Sequence, residues 1–521
     1  MASRNLVNLD AMIARADFAL QPDEQPAVDS IVSVGLRDLT AGSLILPILR
    51  KPDFQRETNH WSPEQVVSLL ECFVNGDLIP SVILWKSPLY LFVIDGGHRL
   101  SVLRSWLEDD YGDGAISQSF FGYQISAEQK RIAKRTRDLV EERVGKYAQI
   151  NARLQLPDIP DDERRRGTAL ASRALPIQWV SGNAEKAEES FFKINTEGTP
   201  LDEIEELLLR NRRRPIAIAA RAVIRAGKGH RYWSAFPSDK AKAIEESASN
   251  LHQILFEPEL KRPIKTLDLP LGGSKGIRAA LEVLIDFMLI ANRNQEGKPA
   301  RLLDYPDDDT GEATLEVLRR SMRLAGRITG NDRGSLGLHP AVYFYGPTGV
   351  HSGPMFMGTV ALIGRKLVNN DGGFFKKFTA ARAKLETALI DNKDLIATVL
   401  QRQASKKRTR VYELLLEALV EKVVVGEAVT DEWLVETAGL KGKVLTGEAR
   451  TTASEFSEHV KSKAFISIAL EGAPCCAICG GYLDPDKSLS YDHNQPKREG
   501  GTGDPENIQL CHPYCNQSIK N

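Results

Sequence analysis

Outside its C-terminal stretch this chain has almost no cysteine: of the six in 521 residues, one is Cys72 and the other five fall between 475 and 515. A disulfide framework spreads its cysteines along the chain, so the clustering argues against one and fits a reducing compartment. Long apolar runs are missing as well. None approaches the roughly 18 residues that a membrane-spanning helix needs, and the N-terminus carries no apolar signal core. Nor is there an excess of one charge, since 68 Lys and Arg stand against 69 Asp and Glu, a net charge of −1. That excludes a global polycation drawn to nucleic acid by its field, so any phosphate-binding surface has to come from local clusters. Internal repeats and long low-complexity stretches are absent. The expectation is a cytoplasmic protein with no membrane partner.

What is present is an ordinary globular composition, 42% hydrophobic and 26% charged, in a chain long enough for two to four domains. Four basic clusters stand out: Lys130-Arg131 with Lys134-Arg135 and Arg137; Arg164-Arg165-Arg166; Arg210 with Arg212-Arg213-Arg214; and Lys406-Lys407-Arg408 with Arg410. Each reads either as a solvated helix face or as a phosphate contact.

The late cysteines have knuckle spacing. Cys475-Cys476-Ala-Ile-Cys479 and Leu510-Cys511-His512-Pro-Tyr-Cys515-Asn516 bracket Asp492-His493, Gly500-Gly501 and Asn507. Two knuckles can staple a segment too short for a large core around zinc. Cys476 and Cys479 form the first pair, and Cys515 joins either His512 or Cys511 in the second. Counting back from Cys515-Asn516, the usual two-residue gap favours His512. Asp492-His493 sets a metal ligand beside a general base, which suits phosphodiester hydrolysis. A knuckle that only binds or braces is the plainer alternative.

The ordered set resembles the HNH endonuclease family, with its zinc-stapled ββα-metal core. The resemblance implies that His493 activates water and that Asp492 and Asn516 hold a catalytic Mg²⁺. It implies that Asn507 braces the loop carrying the base. The last motif position is Asn516 and not His, a variant the family tolerates. Only five residues follow it, so the closing helix has room for one or two turns.

In the front half, Leu44–Leu49 reads as a strand. Ser62-Pro63-Glu64-Gln65 is a helix start with a capping box, and that helix runs to about Asn75 and ends at Gly76. Ile79–Leu84 and Leu89–Ile94 read as buried strands. The second leads into Asp95-Gly96-Gly97-His98-Arg99 and a helix with Leu100, Leu103 and Leu107 on one face. A strand, a glycine turn and a helix N-terminus favour an anion, although a Gly-Gly turn with an Asp–Arg surface pair is also common. Pro52-Asp-Phe-Gln55-Arg56, Trp61, Ile79-Pro80 and Ile94-Asp95-Gly96-x-x-Arg99, with Phe191-Phe-Lys-Ile-Asn195-Thr-Glu-Gly198-Thr-Pro-Leu201, resemble the N-terminal domain of GmrS-type restriction proteins, which is similar to the ParB/sulfiredoxin-like fold. That implies a site for GTP, ATP or modified DNA phosphate built from Asp95, Gly96, Gly97, His98 and Arg99, with Gln55, Arg56 and Asn195. Gly97-His98 replaces the family's usual Gln-Gln, which leaves hydrolysis or binding alone as alternatives.

From about 216 to 465 the pattern is mostly helical, as in Ile277–Met288, with a loop-rich interruption around His339–Tyr345 and a hinge or helix surface at Gln401–Arg410. The expected architecture is multidomain α+β: a sensor domain over 1–215, a helical scaffold over 216–465 and the HNH segment over 466–521. The expected function is a DNA endonuclease of restriction or anti-phage defence, gated by its front domain, a logic shared with SspE-like phosphorothioate-sensing proteins. A non-cleaving DNA-binding regulator and an ungated nuclease with a DNA clamp are the alternatives. DNA is the expected partner, and a homo-oligomer is left open.

Overall fold

The computed structural model of the chain describes residues 6–16, 18, 31–53, 55, 58–123, 125–197, 203–228, 232–233, 235–273, 277–293, 301–440 and 455–519. They fall into two compact units, Met1–Arg212 with Lys228–Tyr232 and Arg213–Gly227 with Trp233–Asn521. Among the described residues no helix is long and apolar enough to cross a membrane.

The first unit is built on a six-stranded mixed sheet of β1 (Arg15–Ala16), β2 (Ser33–Gly35), β3 (Leu49–Pro52), β4 (Val82–Lys86), β5 (Leu91–Asp95) and β6 (Ala174–Val180), in the order β1-β3-β5-β4-β6-β2. β1, β3 and β5 are parallel neighbours, β4 runs antiparallel to β5 and parallel to β6, and β2 closes the edge antiparallel to β6. The two central strands are buried on both faces. Side chains alternate along a strand, so Val82, Leu84, Leu91 and Val93 enter one core while Trp85, Phe92 and Ile94 enter another. The first core is covered by α1 (Pro63–Asn75), which buries Val66, Val67, Leu70 and Phe73, each contributing roughly 1.5–3 kcal/mol. The second is covered by the helix Ala184–Glu197 through Phe191 and Phe192.

The α1 boundaries follow from local chemistry. Ser62 Oγ accepts from Gln65 N, the Gln65 side chain accepts from Ser62 N at 2.9 Å, and Gly76 ends the helix in the left-handed region at φ 87°. The expected strand over Leu44–Leu49 is instead a turn, and β3 starts only at Leu49. Pro47 has no N–H to give a ladder, and Ser43 Oγ caps the turn by accepting from Ile45 N at 3.0 Å.

Among its described residues the second unit is helical apart from one hairpin. Pro215–Ile224 is buried from Pro215 to Val223, which makes it a core helix and not an amphipathic one. The helices Ser238–Phe256, Ile277–Ala291, Glu312–Ile328, Gly353–Val368, Gly372–Asp391 and Ser405–Val424 pack around it and one another. The interruption at His339–Tyr345 is core, with Ala341 to Tyr345 fully buried. Gln401–Arg410 contains a real break, since one helix ends at Arg402 and the next starts at Ser405. The last segment shares this unit with the helices. It carries β7 (Ser490–His493) antiparallel to β8 (Ile508–Cys511) and a single π-helical turn, Cys515–Ile519, where an α-helix was expected.

Candidate functional site

The core under the hairpin is four buried residues, Cys476, Leu483, Cys511 and Cys515, too little apolar surface to fix a fold. Beside it the donor atoms of Cys476, Cys479, His512 and Cys515 lie within 4.8 Å of one another, a cluster that can hold a metal ion such as zinc. His512 Nε2 lies 2.9 Å from the Tyr482 carbonyl, which turns Nδ1 toward the thiols, 3.4 Å from Cys479 Sγ. An outer hydrogen bond of this kind fixes the tautomer of a ligating histidine. Burial first, then the Arg382 cation, lowers the His512 pKa and keeps the ring neutral, the form that ligates. Cys511, the rival ligand, is fully buried but is not one of the four. Three soft sulfur donors and one imidazole, buried except for the half-buried Cys479, fit zinc and not a hard cation.

The candidate catalytic residues sit on the hairpin and the turn that follows. Asp492 and His493 end β7. Asp492 Oδ1 accepts from His493 N at 2.8 Å and Oδ2 accepts from Gln509 Nε2 at 2.9 Å, across the ladder. Asn516, in the π turn, donates through Nδ2 to Ser490 Oγ at 2.8 Å and to the Tyr491 carbonyl at 3.3 Å. Its amide is thereby fixed against the strand of Asp492. Asn507 clamps the intervening loop: Oδ1 accepts from Gln495 N at 2.6 Å, while Nδ2 donates to the carbonyls of Gln495 at 3.2 Å and Thr502 at 2.8 Å. A Cβ on Gly501 would stand 1.8 Å from the Gln495 carbonyl oxygen, so only glycine fits there.

In the first unit the structure gathers part of the expected pocket. Asp95 ends β5, Gly96 takes φ 96°, and α2 (Gly97–Glu108) starts at Gly97. Gln55, 7% exposed, comes from the far side of the sequence to lie against Gly97, and its Nε2 donates to the Ile94 carbonyl at 3.4 Å. Its Oε1 is buried and, among the described residues, accepts no hydrogen bond. Arg99 turns back on the turn: Nη2 donates to Asp95 Oδ2 at 2.7 Å and to the Ser81 carbonyl at 3.0 Å. His98 stacks on Trp61 at 5.5 Å and 22°, with His60 edge-on at 6.0 Å. Arg56 and the side chain of Asn195 lie outside the described residues.

Sequence reasoning missed two networks. Beneath Gln55, the buried carboxylate of Asp10 takes both Arg15 and Lys51 at 2.7 Å, and Arg15 Nη1 also donates to the Gln55 carbonyl. Beside the knuckles, Arg382 is fully buried, donating to the Leu336 and Gly337 carbonyls and, at 2.7 Å, to Glu386, whose other oxygen accepts from Tyr482 N at 2.6 Å. Each ties a local pair, Asp10–Arg15 or Arg382–Glu386, to partners far away in sequence, so no local motif shows the whole network. The basic clusters, by contrast, are largely engaged internally: Arg135 pairs with Glu64, Arg137 with Asp113, Arg210 with Glu206, Arg212 with Asp53 and Glu188, and Arg410 with Glu413.

Comparison with known families gives two matches. Residues 36–212 match the model of the GmrSD restriction endonuclease N-terminal domain, and residues 476–521 match that of the HNH endonuclease. Neither the curated proteins nor the solved structures provide a match.

Proposed function

From a GmrSD-type restriction domain in front and an HNH endonuclease domain behind, which together support a restriction-type DNA endonuclease, we propose that the chain cuts modified or phage DNA in the cytoplasm, with its front domain controlling the cut. One observation carries this reading. Asn516 folds back onto Ser490 and Tyr491, on the strand of Asp492 and His493, next to a largely buried Cys/His cluster.

In this reading His493 takes the proton of the attacking water, a task imidazole suits. Asp492 and Asn516 hold Mg²⁺ through oxygen, and Asn507 keeps the loop behind the base in register. When bound, the cation neutralises charge on the scissile phosphate and the leaving 3′ oxygen. Cys476, Cys479, His512 and Cys515 hold a structural zinc. The front domain, with a ParB/sulfiredoxin-like fold, takes GTP, ATP or a modified phosphate at the N-terminus of α2. Gly96, Gly97, His98 and Gln55 shape that pocket, and the family resemblance adds Arg56 and Asn195 to it. The N-terminus of α2, which no side chain caps, supports this reading. A triphosphate there would draw Arg99 away from Asp95. The working domains are 1–215, 216–465 and 466–521.

The test is plasmid cleavage with Mg²⁺, with and without GTP or ATP, on modified and unmodified DNA. The expected result is cleavage that depends on nucleotide or modification and is lost in His493→Ala, with zinc content unchanged. Full cleavage by purified His493→Ala sinks the assignment of the base. DNA binding without cleavage under every condition favours a regulator.

A further inference from the structure

The π turn that carries Asn516 is one turn long, and residues outside the matched HNH segment hold it. Just before it, Tyr514 is 7% exposed, and its N–H donates to the Ser335 carbonyl at 2.9 Å. The Arg327 guanidinium lies over the Tyr514 ring at 4.6 Å and over the Phe375 ring at 4.0 Å, and Arg327 Nη1 donates to the Gly334 carbonyl. The same loop grips the other half of the hairpin. Ser488 Oγ donates to the Gly330 carbonyl at 2.6 Å and lies 3.3 Å from Ser335 Oγ, while Asn331 Oδ1 accepts from Leu489 N at 3.0 Å. Ser488 and Leu489 lead directly into β7. One loop, 330–337, therefore anchors both the strand of Asp492 and the turn of Asn516.

We propose that Arg327, acting through Tyr514 and this loop, is a positioning residue that fixes the Asp492–Asn516 separation for the catalytic cation. This rests on the reading of Asp492 and Asn516 as cation ligands. A planar guanidinium shared by two rings resists rotation of the turn about its own axis, which an ammonium on a flexible stem does not. Loss of such outer support typically weakens metal binding about 10–100-fold.

The test uses the full zinc-loaded chain and Mn²⁺ as the probe, with free Mn²⁺ read by electron paramagnetic resonance. Zinc content and the Mg²⁺ concentration for half-maximal cleavage are measured alongside. Arg327→Ala is expected to weaken Mn²⁺ binding about tenfold or more, with zinc retained and the Mg²⁺ requirement raised by a similar factor. Arg327→Lys should fall between it and the wild type. If Arg327→Ala does not fold, Tyr514→Leu removes the same contact from the other side and should give the same shift. Mn²⁺ affinity within about twofold of wild type in a folded Arg327→Ala or Tyr514→Leu protein overturns the inference. Asp492→Ala separates the two failures. If it too binds Mn²⁺ normally, the cation-site reading itself is wrong; if it loses Mn²⁺ while Arg327→Ala does not, only the positioning role falls.

Discussion

Asp10 holds two cations with one buried carboxylate, Arg15 and Lys51 each at 2.7 Å. Removing the carboxylate charge would leave both cations buried without it, and breaking a buried pair typically costs about 3–5 kcal/mol. Asp10→Asn should therefore destabilise the first unit by about 3 kcal/mol, read as a lower denaturant midpoint for that unit. An unchanged midpoint would mean that water reaches the network. His339 makes a different statement. Its Nδ1 accepts from Ala341 N at 3.2 Å, and burial, aided by Lys393 and Arg382, pushes its pKa down from 6.5 to about 3. The unfolded chain then binds a proton that the fold does not between about pH 3 and 6.5. Stability from this site is complete above that window and falls as pH drops through it, by about 2 kcal/mol at pH 5. His339→Asn keeps a capping acceptor without the titration, so its melting temperature should fall less than that of wild type between pH 7 and 5. Parallel curves for the two proteins would refute this.

At the scale of elements, the hairpin and its knuckles are expected to depend on a bound metal as well as on the loop that anchors them. Two four-residue strands over a four-residue buried core cannot persist alone. Cys479→Ser, or prolonged chelation, should release about one equivalent of zinc per chain. The β7–β8 amides should then exchange with solvent faster, while α1 and the six-stranded sheet stay protected. Slow exchange in β7 after complete zinc loss would show that docking by Tyr514 and the Arg382–Glu386 pair is sufficient. These elements were legible in unequal measure. The Ser62–Gln65 box and Gly76 wrote the ends of α1 into contiguous residues. The Leu44–Leu49 strand was misread because apolar content outweighed Pro47 and Ser43, and the closing helix, expected at one or two turns, is a π turn over Cys515–Ile519.

For the whole molecule the question is coupling. If nucleotide or modified DNA at the first unit controls the nuclease, Arg99→Ala should change the nucleotide dependence of cleavage, because linked sites shift each other's equilibria. Loss of one charge-assisted contact, about 1.5–3 kcal/mol, predicts a roughly ten- to hundredfold weaker response. Identical cleavage and phage protection by Arg99→Ala and wild type would leave the front domain a clamp or scaffold. By itself the sequence determined what short-range chemistry can write: the knuckle spacing, Asp492-His493, the Gly500-Gly501 turn, Asn507, and the strand–glycine–helix unit at Asp95–Arg99. Each is a run of neighbours whose spacing is its meaning. Tertiary structure alone decided that Gln55 meets Gly97, that Arg99 closes on Asp95, that Asp10 gathers Arg15 and Lys51, and that Arg327 and Ser335 hold the turn of Asn516. Arg99–Asp95 and Asp10–Arg15 are near in sequence, but the partners that complete each network lie tens to hundreds of positions away, and their energy comes from burial and charge pairing that no local pattern encodes.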